Sequence, residues 1–105
     1  MKRVIEGYEG LYSVTDDGRI WSHRNRRYLS PWFKRGYLII SLCKNGIKRN
    51  HRIHREVAKV FIPNPENKSE VNHKNRLKDD NRKENLEWVT RRENFLHSSR
   101  NGKRA

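Results

Sequence analysis

The stretch from Glu70 to Thr90, EVNHKNRLKDDNRKENLEWVT, contains side chains that could carry out acid–base chemistry. His73 ends a short strand-like run and precedes a loop rich in Asn, Asp, Lys and Arg. An imidazole titrates near neutral pH, so a well-positioned histidine can take a proton from water. A lone histidine beside a loop is, however, more often a hydrogen-bonding surface residue. This stretch by itself leaves open both a solvated hairpin and an active site.

The chain is strongly basic, and this restricts the kinds of partner it could have. Its 105 residues include 25 Lys and Arg but only 12 Asp and Glu, which gives a formal net charge of +13. So much charge on a small protein that also contains aromatic residues favours a nucleic acid as the partner. No apolar run approaches a transmembrane span and the N-terminus lacks a signal-peptide core. We therefore expect a cytoplasmic protein, or a nuclear one if its host has a nucleus, with no membrane partner.

Two β-hairpins are predicted in the first half of the chain. LYSVT, the turn DDG and RIWSH form the first, in which Gly18 supplies a positive φ angle. The second lies in GYLIISLCKNGIKRNHRIH, where Asn45-Gly46 is a strong signal for a two-residue turn. Together they predict a meander of four strands before residue 54. We assign residues 1–36 to a β-rich DNA-binding module and residues 37–105 to a second domain.

The second half changes from strand patterns to helix patterns. Ile53, Val57 and Phe61 recur at every fourth position, which predicts a short helix with one buried stripe. A strand at EVNH, the polar loop, a strand at NLEWVT and a final helix follow. Thr90 and Glu93 have the spacing of a capping box, which marks the start of that helix. The predicted fold class is α+β, a hairpin meander followed by a ββα unit.

The last third of the chain resembles the HNH nucleases. His73, Asn85 and Asn94 have the spacing H-x11-N-x8-N, which is similar to the HNH motif of the His-Me finger, or ββα-metal, type. The segment IHREVAKVFIPNPENKSEVNHKN with NLEWVTRREN resembles the HNH homing endonucleases of phages and phage introns. IEGYEGLYSVTDDGRIWS resembles the small module that often precedes the HNH unit in them. Two motifs in the expected order make the resemblance specific, and it covers nearly the whole chain.

The resemblance implies a role for each motif residue. In that family the histidine at the position of His73 is the general base that activates water. Asn94 and Asn72 would hold the metal through their side-chain oxygens, and Asn85 would brace the loop that keeps His73 in place. Oxygen ligands favour Mg²⁺ or Mn²⁺ over zinc. Many relatives have Asp or His in place of Asn72, so two neutral amides predict weak metal affinity without DNA.

Other polar residues near the motif have less specific interpretations. His97 lies three residues after Asn94 and is either an extra ligand or phosphate contact, or a partly exposed helix residue. We interpret His54 as structural, because the resemblance gives it no chemical role. Asp79 and Asp80 are interpreted as the solvated tip of the polar loop.

Basic residues outside the motif are candidates for phosphate contacts with double-stranded DNA. They follow the first hairpin or line the second hairpin and the helix start: Arg24, Arg26, Arg27, Lys44, Lys48, Arg49, Arg52 and Arg55. The function predicted is that of a metal-dependent DNA endonuclease that nicks one strand per monomer. A double-strand break would need a homodimer, a partner protein or two successive nicks. The alternatives are a non-catalytic nucleic-acid-binding protein on the same scaffold, and an accessory protein that binds another protein.

Overall fold

The computed structural model describes residues 1–100, with side chains through residue 97. No helix in this part of the chain is long and apolar enough to cross a membrane. The helices are α1 (Ile53–Phe61) and α2 (Arg91–Arg100), and a 3₁₀ turn spans Lys83–Asn85. The strands are β1 (Lys2–Val4), β2 (Tyr12–Thr15), β3 (Ile20–Ser22), β4 (Arg27–Tyr28), β5 (Trp32–Lys34), β6 (Tyr37–Lys44), β7 (Ile47–Arg52), β8 (Glu70–His73) and β9 (Leu86–Val89).

The strands form three antiparallel sheets that follow one another along the chain. β1 to β4 make the first sheet in sequential order, β5 to β7 make the second, and β8 pairs with β9 in the third. With α2, the third sheet completes a ββα unit. The predicted α+β class, with hairpins before a ββα unit, is confirmed. The division between residues 36 and 37 stays a prediction.

Both predicted hairpins are present, and glycine conformations explain their turns. Gly18 has a φ of 92° between β2 and β3, and Asn45 and Gly46 have φ angles of 53° and 77° between β6 and β7. Two positive φ angles are what a type I′ turn requires. A third turn of this kind, Arg35-Gly36, joins β5 to β6 with φ angles of 56° and 86°. The expected four strands before residue 54 are in fact seven, because β1, β4 and β5 are short, exposed and without an alternating apolar pattern.

The helix α1 lies at the centre of the hydrophobic core. Ile53 and Val57 are 1% and 0% exposed and Phe61 packs against them at the edge, which confirms the predicted stripe. Because α1 begins directly after β7, its first turn also carries His54 into the interior. The core cluster takes side chains from all three sheets and α1: Ile5, Val14, Ile20, Ile40, Leu42, Ile53, Val57, Ala58, Val71 and Leu86.

The start of α2 is fixed by reciprocal hydrogen bonds. The backbone N–H of Glu93 donates to Oγ1 of Thr90 at 3.0 Å, and the backbone N–H of Thr90 donates to Oε1 of Glu93 at 2.8 Å. The predicted capping box is therefore confirmed. It holds the first helical turn, where Asn94 follows Glu93, against the end of the third sheet.

Candidate active site

His73 is a buried residue at the end of β8, with 5% of its surface exposed. Its Nε2 atom lies 2.8 Å from the side-chain oxygen of Asn81. An amide oxygen can only accept, so Nε2 of the neutral ring carries the proton and Nδ1 keeps its lone pair. Burial lowers the pKa of His73, against the opposing influence of the Asn81 hydrogen bond and of Asp80 and Asp79. The neutral, proton-accepting ring is therefore favoured at neutral pH.

A second histidine packs directly against His73. The ring centres of His54 and His73 are 4.9 Å apart, and Tyr37 stacks on His54 at 5.1 Å with an interplanar angle of 18°. Burial, and after it the neighbouring His73, Arg55 and Arg52, lowers the pKa of His54 to about 3. An uncharged aromatic stack thus lies beside the predicted base. The structural interpretation of His54 stays a prediction, but His54 is in contact with His73.

Asn85 holds the loop between β8 and β9 through several hydrogen bonds. Its side-chain oxygen accepts the backbone N–H of Asn75 at 3.1 Å, and its nitrogen donates to the side-chain oxygen of Asn75 and the backbone oxygen of Asp80, both at 2.9 Å. Its backbone oxygen accepts the N–H of Lys74 at 2.8 Å. This is the geometry that the bracing role implied for Asn85 requires.

Asp79 is exposed, as the interpretation of a solvated loop tip predicted, but Asp80 is half-buried and takes part in the hydrogen bonds of the loop. Its carboxylate accepts hydrogen bonds from Asn75 at 2.8 Å and from Arg82 at 2.7 and 2.8 Å. The Arg82 hydrogen bonds hold the pKa of Asp80 well below its usual range. Asp80 is therefore an ionised brace inside the loop, and the loop folds back so that Asn81 reaches His73.

The turn of the first hairpin packs behind Asn81. A Cβ atom on Gly18 would lie 2.7 Å from the Cβ of Asn81, and Gly18 has a φ of +92°. The backbone oxygen of Asp16 accepts the N–H of Lys83 at 2.8 Å. Gly18 is therefore required by a close approach as well as by its turn. The sequence interpretation missed Asn81, because one more asparagine in an Asn-rich loop carries no local signal.

Asn72 precedes His73 on β8 and pairs across the sheet with Glu87. Its side-chain nitrogen donates to Oε2 of Glu87 at 2.8 Å. A carboxylate only accepts, so this bond fixes which way the amide points and leaves the Asn72 oxygen free to meet another group. Glu87 was missed from sequence, because its position opposite Asn72 depends on the register of the two strands.

A groove of about 510 Å³ brings together His73, Asn72 and Asn94, with Tyr37 also in its wall. No group of three or more His, Cys, Asp or Glu side chains within the described residues could hold a metal ion. Asn72, Asn75 and Asn94 carry amide oxygens in the lining of the groove, and the Asn75 oxygen already accepts hydrogen bonds from Leu77 and Asn85. Amide oxygens such as those of Asn72 and Asn94 fit a hard cation better than zinc. The structure thus brings together His73 and both predicted metal ligands.

His97 lies on a different side of Asn72 from His73. It lines a smaller cavity of about 360 Å³ together with Asn72, Glu87 and Lys68, whereas Asn94 lines the groove that contains His73. The two α2 residues therefore border different cavities, although only three positions separate them.

The predicted DNA-binding residues do not all lie on one face. In the second sheet, strand register puts Lys48 and Arg52 on the face that carries Tyr37, with the Arg52 guanidinium 5.4 Å from the Tyr37 ring centre. Arg49 pairs with Leu42, whose side chain is in the core, and therefore lies on the other face. The remaining residues lie elsewhere: Arg24, Arg26 and Arg27 between and along β3 and β4, Lys44 at 2.6 Å from the Gly7 oxygen, and Arg55 at 3.2 Å from the Ser69 oxygen.

Comparison with known proteins identifies the family. Residues 3–43 match the NUMOD4 motif, and residues 51–96 match the HNH endonuclease family. The chain is 36% identical over 99 residues to DNA endonuclease I-HmuI of Bacillus phage SP01, covering 93% of this chain and 57% of that protein. It is 41% identical over 87 residues to the uncharacterized HNH endonuclease L245 of Acanthamoeba polyphaga mimivirus, covering 82% of this chain and 26% of that protein. The chain belongs to the HNH endonuclease family.

A solved structure extends this result to the fold. The structure that describes DNA binding and cleavage by the HNH homing endonuclease I-HmuI matches with a TM-score of 0.89 at 33% identity, covering 100% of this chain and 62% of that one. The predicted HNH resemblance, with a module ahead of the HNH unit, is confirmed. Membership of the family implies a divalent metal ion. The chain spans between about a quarter and somewhat more than half of the length of these curated relatives.

Proposed function

We propose that this chain is a metal-dependent DNA endonuclease that hydrolyses phosphodiester bonds, with His73 as the general base. The observation that supports this most directly is the 2.8 Å hydrogen bond from buried His73 to Asn81, in a groove that also holds Asn72 and Asn94. A histidine held through one ring nitrogen can present the other as a base. The described DNA binding and cleavage by I-HmuI supports the same reaction.

In this proposal His73 takes a proton from water at Nδ1 while Nε2 keeps its hydrogen bond to Asn81. The ring then becomes positively charged. The amide oxygen of Asn81 and the nearby carboxylates of Asp80 and Asp79 favour that charged form, which is the direction in which each of them shifts the pKa of His73. Asn85 keeps the loop folded so that these groups remain beside the ring.

Asn72 and Asn94 are the proposed protein ligands for Mg²⁺ or Mn²⁺, through their side-chain oxygens. When bound, such an ion supplies Lewis-acid stabilisation of the charge that develops on the phosphate and the leaving oxygen. Two amide ligands carry no charge, so phosphate oxygens of the DNA would supply much of the anionic coordination. His97 is left out of this ligand pair, because it lines the neighbouring cavity and not the groove in which Asn72 and Asn94 meet His73.

The proposed substrate is double-stranded DNA, held by phosphate contacts from the basic residues of the first two sheets and α1. The described residues form one groove with His73, Asn72 and Asn94, and we propose that the chain nicks one strand at a time. A double-strand break would then require a homodimer, a partner protein or two successive nicks.

The test is conversion of supercoiled plasmid to open circles at low salt, with Mg²⁺, Mn²⁺ or EDTA. Wild-type protein is expected to nick only with metal, and His73→Ala is expected to lose nicking while still shifting the plasmid in a gel. His23→Ala is the control, because His23 hydrogen-bonds to Ser13 in the first sheet and should nick normally. Plasmid shifts by wild type and His73→Ala with no nicking under either metal would instead indicate non-catalytic nucleic-acid binding. Neither shifts nor nicking would point to a protein-binding accessory.

A further inference from the structure

The carboxylate of Glu87 lies one hydrogen bond away from a proposed metal ligand. Asn72 and Glu87 are direct cross-strand partners in the third sheet, and the Asn72 side-chain nitrogen is 2.8 Å from Oε2 of Glu87. Asn72 is 7% exposed and Glu87 is half-buried, so this contact is partly shielded from water. Because the nitrogen is committed to Glu87, the amide oxygen is the atom that remains to bind a cation.

Charge makes this contact important for a cation. The chain carries a formal charge of +13, which repels a divalent cation at long range. Asn72 and Asn94 are neutral. The described residues contain no group of three or more His, Cys, Asp or Glu side chains that could hold a metal ion. A negative charge close to the ligand oxygens is therefore needed if the protein is to bind the cation before DNA arrives.

The hydrogen bond also affects the ligand atom itself. An amide that donates to a carboxylate is polarised, which increases the electron density on its oxygen. Groups that hydrogen-bond to metal ligands orient those ligands and make them better donors. Glu87 can therefore both orient the Asn72 amide and increase the electron density on its oxygen. The HNH motif itself gives Glu87 no role.

We propose that Asn72 and Glu87 act together as one composite ligand for the divalent cation. Asn72 supplies the coordinating oxygen, and Glu87 is a positioning residue that supplies orientation and the negative charge. This inference rests on the proposed function only in placing a cation at Asn72. It concerns cation affinity in the absence of DNA and can be measured without any cleavage assay.

The experiment is titration of the full chain with Mn²⁺, in which electron paramagnetic resonance measures the free ion. Glu87→Gln keeps the shape and the hydrogen-bond acceptor but removes the charge, and is expected to weaken Mn²⁺ binding about ten-fold. The double variant Asn72→Asp with Glu87→Gln keeps one carboxylate and one amide in the pair but exchanges them, and is expected to recover the affinity. Glu84→Gln, an exposed carboxylate in the 3₁₀ turn, loses the same charge and should bind Mn²⁺ normally.

Asn72→Asp alone provides a second measurement. Two carboxylates would then face each other across the strands, so this variant should unfold at a lower temperature without metal and bind Mn²⁺ more tightly than wild type. Unchanged Mn²⁺ affinity in Glu87→Gln, no recovery in the double variant, or no Mn²⁺ binding by wild type would each overturn the composite ligand. Plasmid nicking is scored separately. If wild type nicks plasmid and Glu87→Gln binds Mn²⁺ as tightly as wild type, only the composite ligand of Asn72 and Glu87 is refuted. If wild type binds Mn²⁺ but does not nick plasmid, only the proposed nuclease activity is refuted.

Discussion

The Nε2 atom of His73 lies 2.8 Å from the side-chain oxygen of Asn81, a residue eight positions further along the chain. Both side chains are buried, at 5% and 3% exposure. The loop between them therefore returns to the end of β8, and its internal hydrogen bonds through Asn85 and Asp80 determine where Asn81 is placed. The orientation of the proposed base depends on a residue outside the HNH motif.

Replacing Asn81 should impair catalysis without preventing DNA binding. In Asn81→Ala the His73 ring loses the acceptor that fixes its tautomer and orientation, and we expect plasmid nicking to slow on the order of 10²-fold. Asn81→Asp keeps an acceptor at the same place and adds a negative charge, so it should retain nicking with a pH profile shifted upward. Equal loss in both variants would show that the hydrogen bond does not orient the base.

Gly18→Ala should reduce both stability and nicking. Its Cβ would lie 2.7 Å from the Cβ of Asn81, in addition to the strain of a φ of +92°. Gly10→Ala is the matched control, because Gly10 has a φ of +78° and nothing within 4 Å of its added Cβ. The control should lose about 1–2 kcal/mol of unfolding free energy from backbone strain alone and nick normally. Thermal unfolding measures stability, and the plasmid assay measures nicking. Equal stability and equal nicking in the two variants would show that the close approach of Gly18 to Asn81 is not important.

His54 should make the folded protein sensitive to acid. The folded pKa of His54 is about 3, whereas its ordinary value is 6.5, so only the unfolded chain binds a proton between these values. Its contribution to stability is therefore complete above pH 6.5 and is lost as the pH falls toward 3. His54→Phe keeps a ring to stack on Tyr37 but cannot titrate. Urea unfolding between pH 3 and pH 6.5 measures the free energy of unfolding of both proteins. Its slope against pH should be smaller for His54→Phe than for wild type, by up to about 1.4 kcal/mol per pH unit. Parallel curves for the two proteins would contradict this.

The two faces of the second sheet should contribute unequally to DNA binding. Tyr37 lines the groove that contains His73 and also a second groove with Lys34, Arg35 and Arg52, so this face continues from the proposed active site. Loss of Lys48 and Arg52 together should reduce the slope of log K against log salt by up to about 2, as expected for two phosphate contacts.

The matched control for this measurement is the double variant Lys44→Ala with Arg49→Ala. It removes the same charge, but Lys44 is already bonded to the Gly7 oxygen and Arg49 lies on the opposite face. Fluorescence anisotropy with a labelled duplex at several salt concentrations compares the two. Equal slopes would mean that net charge, and not the face, determines affinity.

Features that depend on local sequence could be predicted. The turns at Gly18 and Asn45-Gly46 need positive φ angles, and the capping box from Thr90 to Glu93 needs two residues three positions apart. Residues that are close in the sequence are therefore enough to predict these features. The spacing of His73, Asn85 and Asn94 led to the HNH resemblance, and the structure places His73 and Asn94 in one groove.

Features that depend on chain closure or register could not be predicted in this way. Asn81 reaches His73 only because the whole loop folds back, and Glu87 meets Asn72 only in the observed register of β8 and β9. His54 is one residue of a helix pattern, and its contact with His73 exists only after α1 packs against the third sheet. Such contacts join residues that no short sequence window contains.

The core has a consequence for how proteins of this kind exchange parts during evolution. Five of its ten side chains come from the segment that matches the NUMOD4 motif, and five come from the segment that matches the HNH family. A recombination event between these segments would join two halves of an interior whose volumes had not been selected together. The recombinant protein would contain a complete NUMOD4 segment and a complete HNH segment but a poorly packed interior. Further substitutions in the core would be needed before it became stable.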